Sequence, residues 1–207
     1  MNEIVANATA FGHGATQAAE GFPRHAWTLA EFEQLSRQGY FGGIDGPRKR
    51  VELIGGEIVP LASKGARHET VRTELSDRFA RKIARSMRCH VGLGWRAGGD
   101  RYVEPDLMIC PASPEPTTIS PAEVVLLIEV ADTSLSYDRT VKAAIYASLG
   151  VREYWSIDAN ALTTLVHLGP PDDGYRDVRT FGPGDLMTPS LAPDLAIALA
   201  GLGIEQG

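Results

Sequence analysis

Residues 124–130 read VVLLIEV, an apolar run without the in–out alternation of a half-exposed strand. Such a run fits a central strand covered on both faces, and that in turn calls for helices on either side of its sheet. Glu129 is the polar member of the run. An unpaired carboxylate in that setting is costly, so a cation, a basic side chain or a strand end open to water has to compensate it.

The rest of the chain supplies the elements this strand needs. The 207 residues suit one ordinary domain. Residues 1–22 show neither apolar period and read as a disordered tail, leaving 23–207 as one domain. Thr28 and Glu31 form a capping box ahead of a helix that turns Leu29, Phe32 and Leu35 inward and should stop near Gly39. RVELIGGEIVPL reads as a hairpin turning at Gly55-Gly56. Val71, Leu75, Phe79, Ile83 and Met87 recur every four residues and predict a helix over 66–88. Its adjoining face would carry Arg78, Arg81, Lys82, Arg85 and Arg88. Strands are expected over 91–96, 101–110 and 123–131, with the proline-rich PASPEPTTISPAE as a surface loop. A helix over 138–149 ends at Gly150, EYWSID is a strand, and LTTLVHL with GYRDVRTF forms an antiparallel pair. The order describes an α/β protein: a mixed sheet flanked by helices, with an N-terminal hairpin and added C-terminal antiparallel strands.

Composition narrows the function classes. The formal charge of −6 means that any nucleic-acid contact depends on a local basic surface or a metal ion. Cys89 and Cys110 do not make a disulfide framework, and no apolar run reaches membrane-spanning length. The N-terminus lacks the basic flank and apolar stretch of a signal peptide, so a cytoplasmic location is expected. There is no nucleophile elbow, phosphate loop or zinc spacing.

Asp106, in YVEPDLMI, is a second acid near a strand, preceded by Pro105, which has no amide to give a ladder. Two carboxylates at the ends of adjacent strands are a minimum oxygen site for Mg²⁺, which keeps several waters. The plain alternative pairs each acid with an arginine or leaves it in solvent. Lys142 adds weight to the metal reading, since Asp138, Lys142 and Tyr146 fall on one helical face just after the Glu129 strand. Two acids and a lysine suit phosphodiester cleavage, in which the lysine orients water or steadies charge on the phosphorane. The alternative for Lys142 is an intrahelical pair with Asp138, worth a few tenths of a kcal/mol.

The succession ELIGGEI, RHE, EPDL and LLIEVADTSLSYDRTVKAAIYASLGVREYWSID, over roughly residues 27–200, resembles the Uma family. That family belongs to the PD-(D/E)XK nuclease superfamily and was long catalogued as a domain of unknown function. The resemblance implies a restriction-endonuclease-like fold with Pro105-Asp106 as the "PD" and Glu129 as the "(D/E)". Ala131 stands where the superfamily has its lysine, and the family's lysine corresponds to Lys142 on the next helix. Glu52 and His68 match its other polar positions, as auxiliary ligands or bases. Locally, Glu52 also reads as an exposed strand residue and His68 as a solvent-facing helix residue. Glu104 and Asp132 flank the motif acids and are expected at most to support them. The implied activity is Mg²⁺-dependent (or Mn²⁺-dependent) endonucleolytic hydrolysis of DNA by a homodimer. Asp106, Glu129 and the Val130 carbonyl would hold the metal. The rival reading is a catalytically inactive nuclease-fold module that binds protein or nucleic acid.

Overall fold

The computed structural model describes residues 25–42, 49–169 and 174–204; the expected tail over 1–22 lies outside them. Helix α1 (Leu29–Arg37) starts at Thr28, whose side chain accepts from the Glu31 amide while Glu31 reaches back to the Thr28 amide. The hairpin of β1 (Val51–Ile54) and β2 (Glu57–Pro60) turns at Gly55 and Gly56, with φ of 58° and 80°. Both values lie in the left-handed region, where glycine carries no Cβ penalty. Leu53 bridges to Tyr102, docking this hairpin on the rest of the protein.

The main sheet runs β3 (Met87–Val91), β4 (Leu107–Pro111), β5 (Leu126–Ala131), β6 (Glu153–Asp158), β7 (Thr163–Leu168) and β8 (Asp177–Phe181), in that spatial order. Neighbours are antiparallel except β5 and β6, which are parallel and joined through a helical crossover. All six residues of β5 are buried, as the apolar run requires. Leu126, Ile128 and Val130 join the core layer under helix α2 (Ala66–Lys82), beside Val71, Leu75 and Phe79. Leu127 faces the opposite layer, with Tyr146 and Tyr154. Period-two alternation therefore sends Glu129 toward that second layer. The covering helix there, α3 (135–149), ends at Gly150 with φ of 90°.

Two expectations are corrected. The helix predicted over 66–88 ends at Lys82, where Ile83 turns extended, and Met87 opens β3 instead. Ile83, Met87 and Cys89 all pack on the same core, so Met87 satisfies a helical and a strand period equally and the free edge of β4 decides. The strand expected over 91–96 is thus displaced to 87–91, and Arg85 and Arg88 do not share a helix face with Arg78 and Arg81. The proline-rich stretch is the surface loop expected, pinned at two points. Trp95 Nε1 donates to Ile119 O at 2.8 Å, and the Arg96 amide to Thr117 O at 2.8 Å.

Candidate active site

The β4–β5 register pairs Leu107 with Ile128; continued by one residue, it sets Asp106 opposite Glu129, on the same sheet face. The ladder here becomes a pair of backbone-to-carboxylate bonds. The Asp106 amide donates to Glu129 Oε2 at 3.3 Å, and the Val130 amide to Asp106 Oδ2 at 2.9 Å. Amide and carbonyl of one strand residue point the same way, so the Val130 carbonyl also faces the Asp106 side, beyond the last β4 pair.

Lys142 arrives through a widened turn. Over Asp138–Lys142 the helix is wound one residue too wide, and the Ala143 amide donates to Asp138 O, an i→i+5 bond. Lys142 Nζ donates to Glu52 Oε1 at 2.7 Å and to Glu129 Oε1 at 3.2 Å, and Tyr146 Oη donates to Glu129 Oε1 at 2.6 Å. The alternative pair with Asp138 is not the contact made: Asp138 accepts from Ser134 Oγ at 2.7 Å. Glu52 is 0% exposed rather than an outward strand residue, because it also accepts the Glu104 amide at 2.7 Å. Its Oε2 is buried without a hydrogen-bond partner. His68, in the first turn of α2, is likewise buried, with Nε2 2.9 Å from Asp106 Oδ2.

Lys64 was not singled out by the sequence reading. Its Nζ lies 2.5 Å from Asp106 Oδ1. Residues 61–65 are irregular and offered no periodic signal for it. Of the flanking acids, Glu104 pairs with Arg50 at 2.6 Å, and both Glu104 and Asp132 line the cavity. That cavity measures about 360 Å³ and is lined by Lys64, His68, Asp106, Glu129, Asp138 and Lys142 among others. Glu52 stands behind Lys142 and does not line it. An adjoining cleft of about 620 Å³ shares Arg50 and Glu104 and carries Arg37, Lys49 and Arg96.

Electrostatics separate the two motif acids. Burial raises Asp106, but the His68 hydrogen bond and the Lys64 charge outweigh it and hold Asp106 well below the usual carboxylate range. Burial pushes Glu129 up to about 8, against the pull of Lys142 and with the push of Asp106. Asp138 is pushed up to about 6 by burial. For Lys142, burial favours the neutral amine, yet Glu129 and Glu52 win and keep it protonated. Asp106 is therefore an acceptor only, and His68 Nε2 must carry the hydrogen of their bond.

This placement, two acids on neighbouring strand ends with a lysine from the next helix, is the one the Uma resemblance implies. The Uma2 family, described as "Putative restriction endonuclease", matches residues 29–200. The chain belongs to the Uma2 family. Membership supports a hydrolytic nuclease acting on nucleic acid. The Uma2 chain is also similar to a crystal structure described as "a putative nuclease belonging to DUF820" from Anabaena variabilis ATCC 29413. The TM-score is 0.65 at 19% identity, over 84% of this chain and 96% of that one. At that identity the likeness shows the fold, a mixed sheet flanked by helices. No curated protein matches. No helix among the described residues is long and apolar enough to cross a membrane.

Among the described residues no three His, Cys, Asp or Glu side chains converge as a ready metal cage. The donors present still fit a hard cation. Asp106, Glu129 and the Val130 carbonyl offer oxygen only, and Mg²⁺ needs few protein ligands.

Proposed function

We propose that this Uma2 protein is a Mg²⁺-dependent endonuclease, with Mn²⁺ as a substitute, that hydrolyses phosphodiester bonds of DNA. The observation that carries this is the buried lysine held between two carboxylates, one of which shares a strand end with Asp106. Asp106, Glu129 and the Val130 carbonyl would hold the ion. A bound divalent ion there supplies a Lewis acid for a phosphate oxygen and acidifies a bound water.

The chain's own residues do the rest. Water attacks phosphorus in line with the leaving oxygen, forming one P–O bond as the other breaks. Lys142 is held protonated by its two carboxylates, so it is unsuited to act as a base and suited to stabilise negative charge gathering on the phosphorane. Glu52 fixes the ammonium from behind and is a positioning residue. His68 donates to Asp106 Oδ2 and orients that carboxylate, whose Oδ1 takes Lys64. Tyr146 donates to Glu129 Oε1 and orients that carboxylate, whose Oε2 takes the Asp106 amide. Arg37, Lys49, Arg50 and Arg96 line the adjoining cleft with Glu33 and Glu104, to which the three arginines are paired, and a phosphate backbone would bind there by exchanging those pairs. A homodimer in the cytoplasm completes the reading.

The non-catalytic rival draws on one feature: all three donor contacts to Asp106 come from the protein itself. The deciding experiment is plasmid nicking with Mg²⁺ or Mn²⁺ against EDTA, for wild type and Asp106→Asn, beside calorimetric Mn²⁺ titration. Metal-dependent nicking that vanishes in Asp106→Asn supports the nuclease. Stoichiometric metal binding without nicking in the wild type supports the rival.

A further inference from the structure

Asp106 accepts from three donors: the Val130 amide and His68 Nε2 on Oδ2, and Lys64 Nζ on Oδ1. An ammonium 2.5 Å from Oδ1 would stand beside any divalent ion bound to that oxygen, and the two cations would repel, so the donor that can move is the one to give way. Val130 is fixed in β5, and His68 is on the opposite oxygen with a side chain 6% exposed. Lys64 differs in each respect. It sits in the irregular segment before α2, its side chain is 18% exposed, and its ammonium ends a flexible four-carbon stem. It also lines the cavity, so a released ammonium stays within the site.

We propose that Lys64 alternates between two anions: Asp106 in the metal-free protein, and a substrate phosphate once a divalent ion holds Asp106. The inference rests on the nuclease reading for its second anion and on metal binding alone for its first. In the metal-free state Lys64 is a surrogate cation that keeps the acid at the strand end compensated. In the loaded state it is a second phosphate-facing lysine, opposite in approach to Lys142, since one comes from the α2 side and the other from α3. Repulsion by the ion then favours the outward position, so metal loading and readiness for phosphate are linked.

The test uses the full chain with Lys64→Gln and the charge-keeping Lys64→Arg. Melting is followed in EDTA and in saturating Mn²⁺, and Mn²⁺ affinity is measured by calorimetry. Because the exchanged contact exists only without metal, Lys64→Gln should melt lower in EDTA, match wild type in Mn²⁺, and bind Mn²⁺ roughly tenfold or more tightly, the scale of one charge-assisted hydrogen bond. Lys64→Arg should track wild type in EDTA. Equal losses of melting temperature in both conditions with unchanged Mn²⁺ affinity would mean the contact survives metal binding, and would overturn the exchange. So would no change in any measurement. For the second anion, binding of a fluorescein-labelled DNA duplex in Ca²⁺ should show a log K against log salt slope shallower by about 1 in Lys64→Gln, one phosphate contact fewer. An unchanged slope overturns that half. Wild-type protein that binds Mn²⁺ with the predicted exchange yet nicks no plasmid would defeat the nuclease reading and leave the metal exchange standing.

Discussion

Replacing Lys142 by methionine keeps the stem and removes the ammonium. That ammonium lies 2.7 Å from Glu52 and 3.2 Å from Glu129, and Lys142, Glu52 and Glu129 are 3%, 0% and 6% exposed. Removing one partner of a buried ion pair costs ~3–5 kcal/mol, because charge is left uncompensated. The upper end applies when both carboxylates stay ionised. Glu129 is already pushed up to about 8 by burial with Lys142 pulling the other way. At that value it already holds a proton at neutral pH, and without Lys142 it rises further. Glu52 alone remains charged, and it keeps the Glu104 amide. The loss should therefore be about 3 kcal/mol, or roughly 6–12 °C in melting temperature for a chain of this size. The assay is calorimetric melting in EDTA across pH. The raised Glu129 value lies above its ordinary 4.5, so its contribution is complete below that value and is lost as pH rises through about 8. In the variant the loss continues to higher pH, so the gap to wild type should widen as pH climbs past about 8. In a double-mutant cycle, Lys142→Met with Glu52→Gln should cost less than the sum of the single changes. A gap under about 2 °C that is flat with pH would refute the buried-network argument and return Lys142 to a solvated surface pair.

Mn²⁺ affinity should rise with pH, approaching about tenfold per unit while Glu129 has to release a proton and flattening above about 8; a flat calorimetric profile would remove Glu129 from the ligand set. Asp138 is raised to about 6, so its contribution is full below 3.8 and lost as pH rises through about 6. Asp138→Asn should erase that slope in urea unfolding across pH, and an unaltered slope would show Asp138 to be solvated. Gly56→Ala should cost about 1–3 kcal/mol, since φ is 80° and a Cβ would meet Ala26 Cβ at 2.7 Å. Unchanged melting would mean that the hairpin is not docked as described.

What the sequence made legible followed from burial. Glu129 stood out because β5 is covered on both faces. Thr28, Gly55-Gly56 and Gly150 marked boundaries through local chemistry that needs no distant partner. The end of α2 was not legible, since Ile83 and Met87 obey both periods and only the unpaired edge of β4 chooses between them. The burial of Glu52 and His68 was equally hidden. Each is drawn inward by a partner far along the chain, Lys142 and Asp106, and local pattern reads both as surface residues. The alignment of Lys142 came from i, i+4 spacing, yet the turn that delivers it is one residue wider than that spacing assumes. Lys64 sat in a segment with no periodicity at all.

The separations between these partners also govern when the site comes into being. Glu52 and Lys142 are 90 positions apart, His68 and Asp106 38, and Glu129 and Lys142 13. Contacts spanning such distances form only after loop closure has been met by core packing. On a growing chain every acid of the cluster leaves the ribosome before Lys142 does, and β6, the parallel partner of β5, emerges later still. A nascent or partly unfolded chain thus carries the acids without their lysine. Assembly of the cluster waits on α3, the last element to contribute a side chain to it.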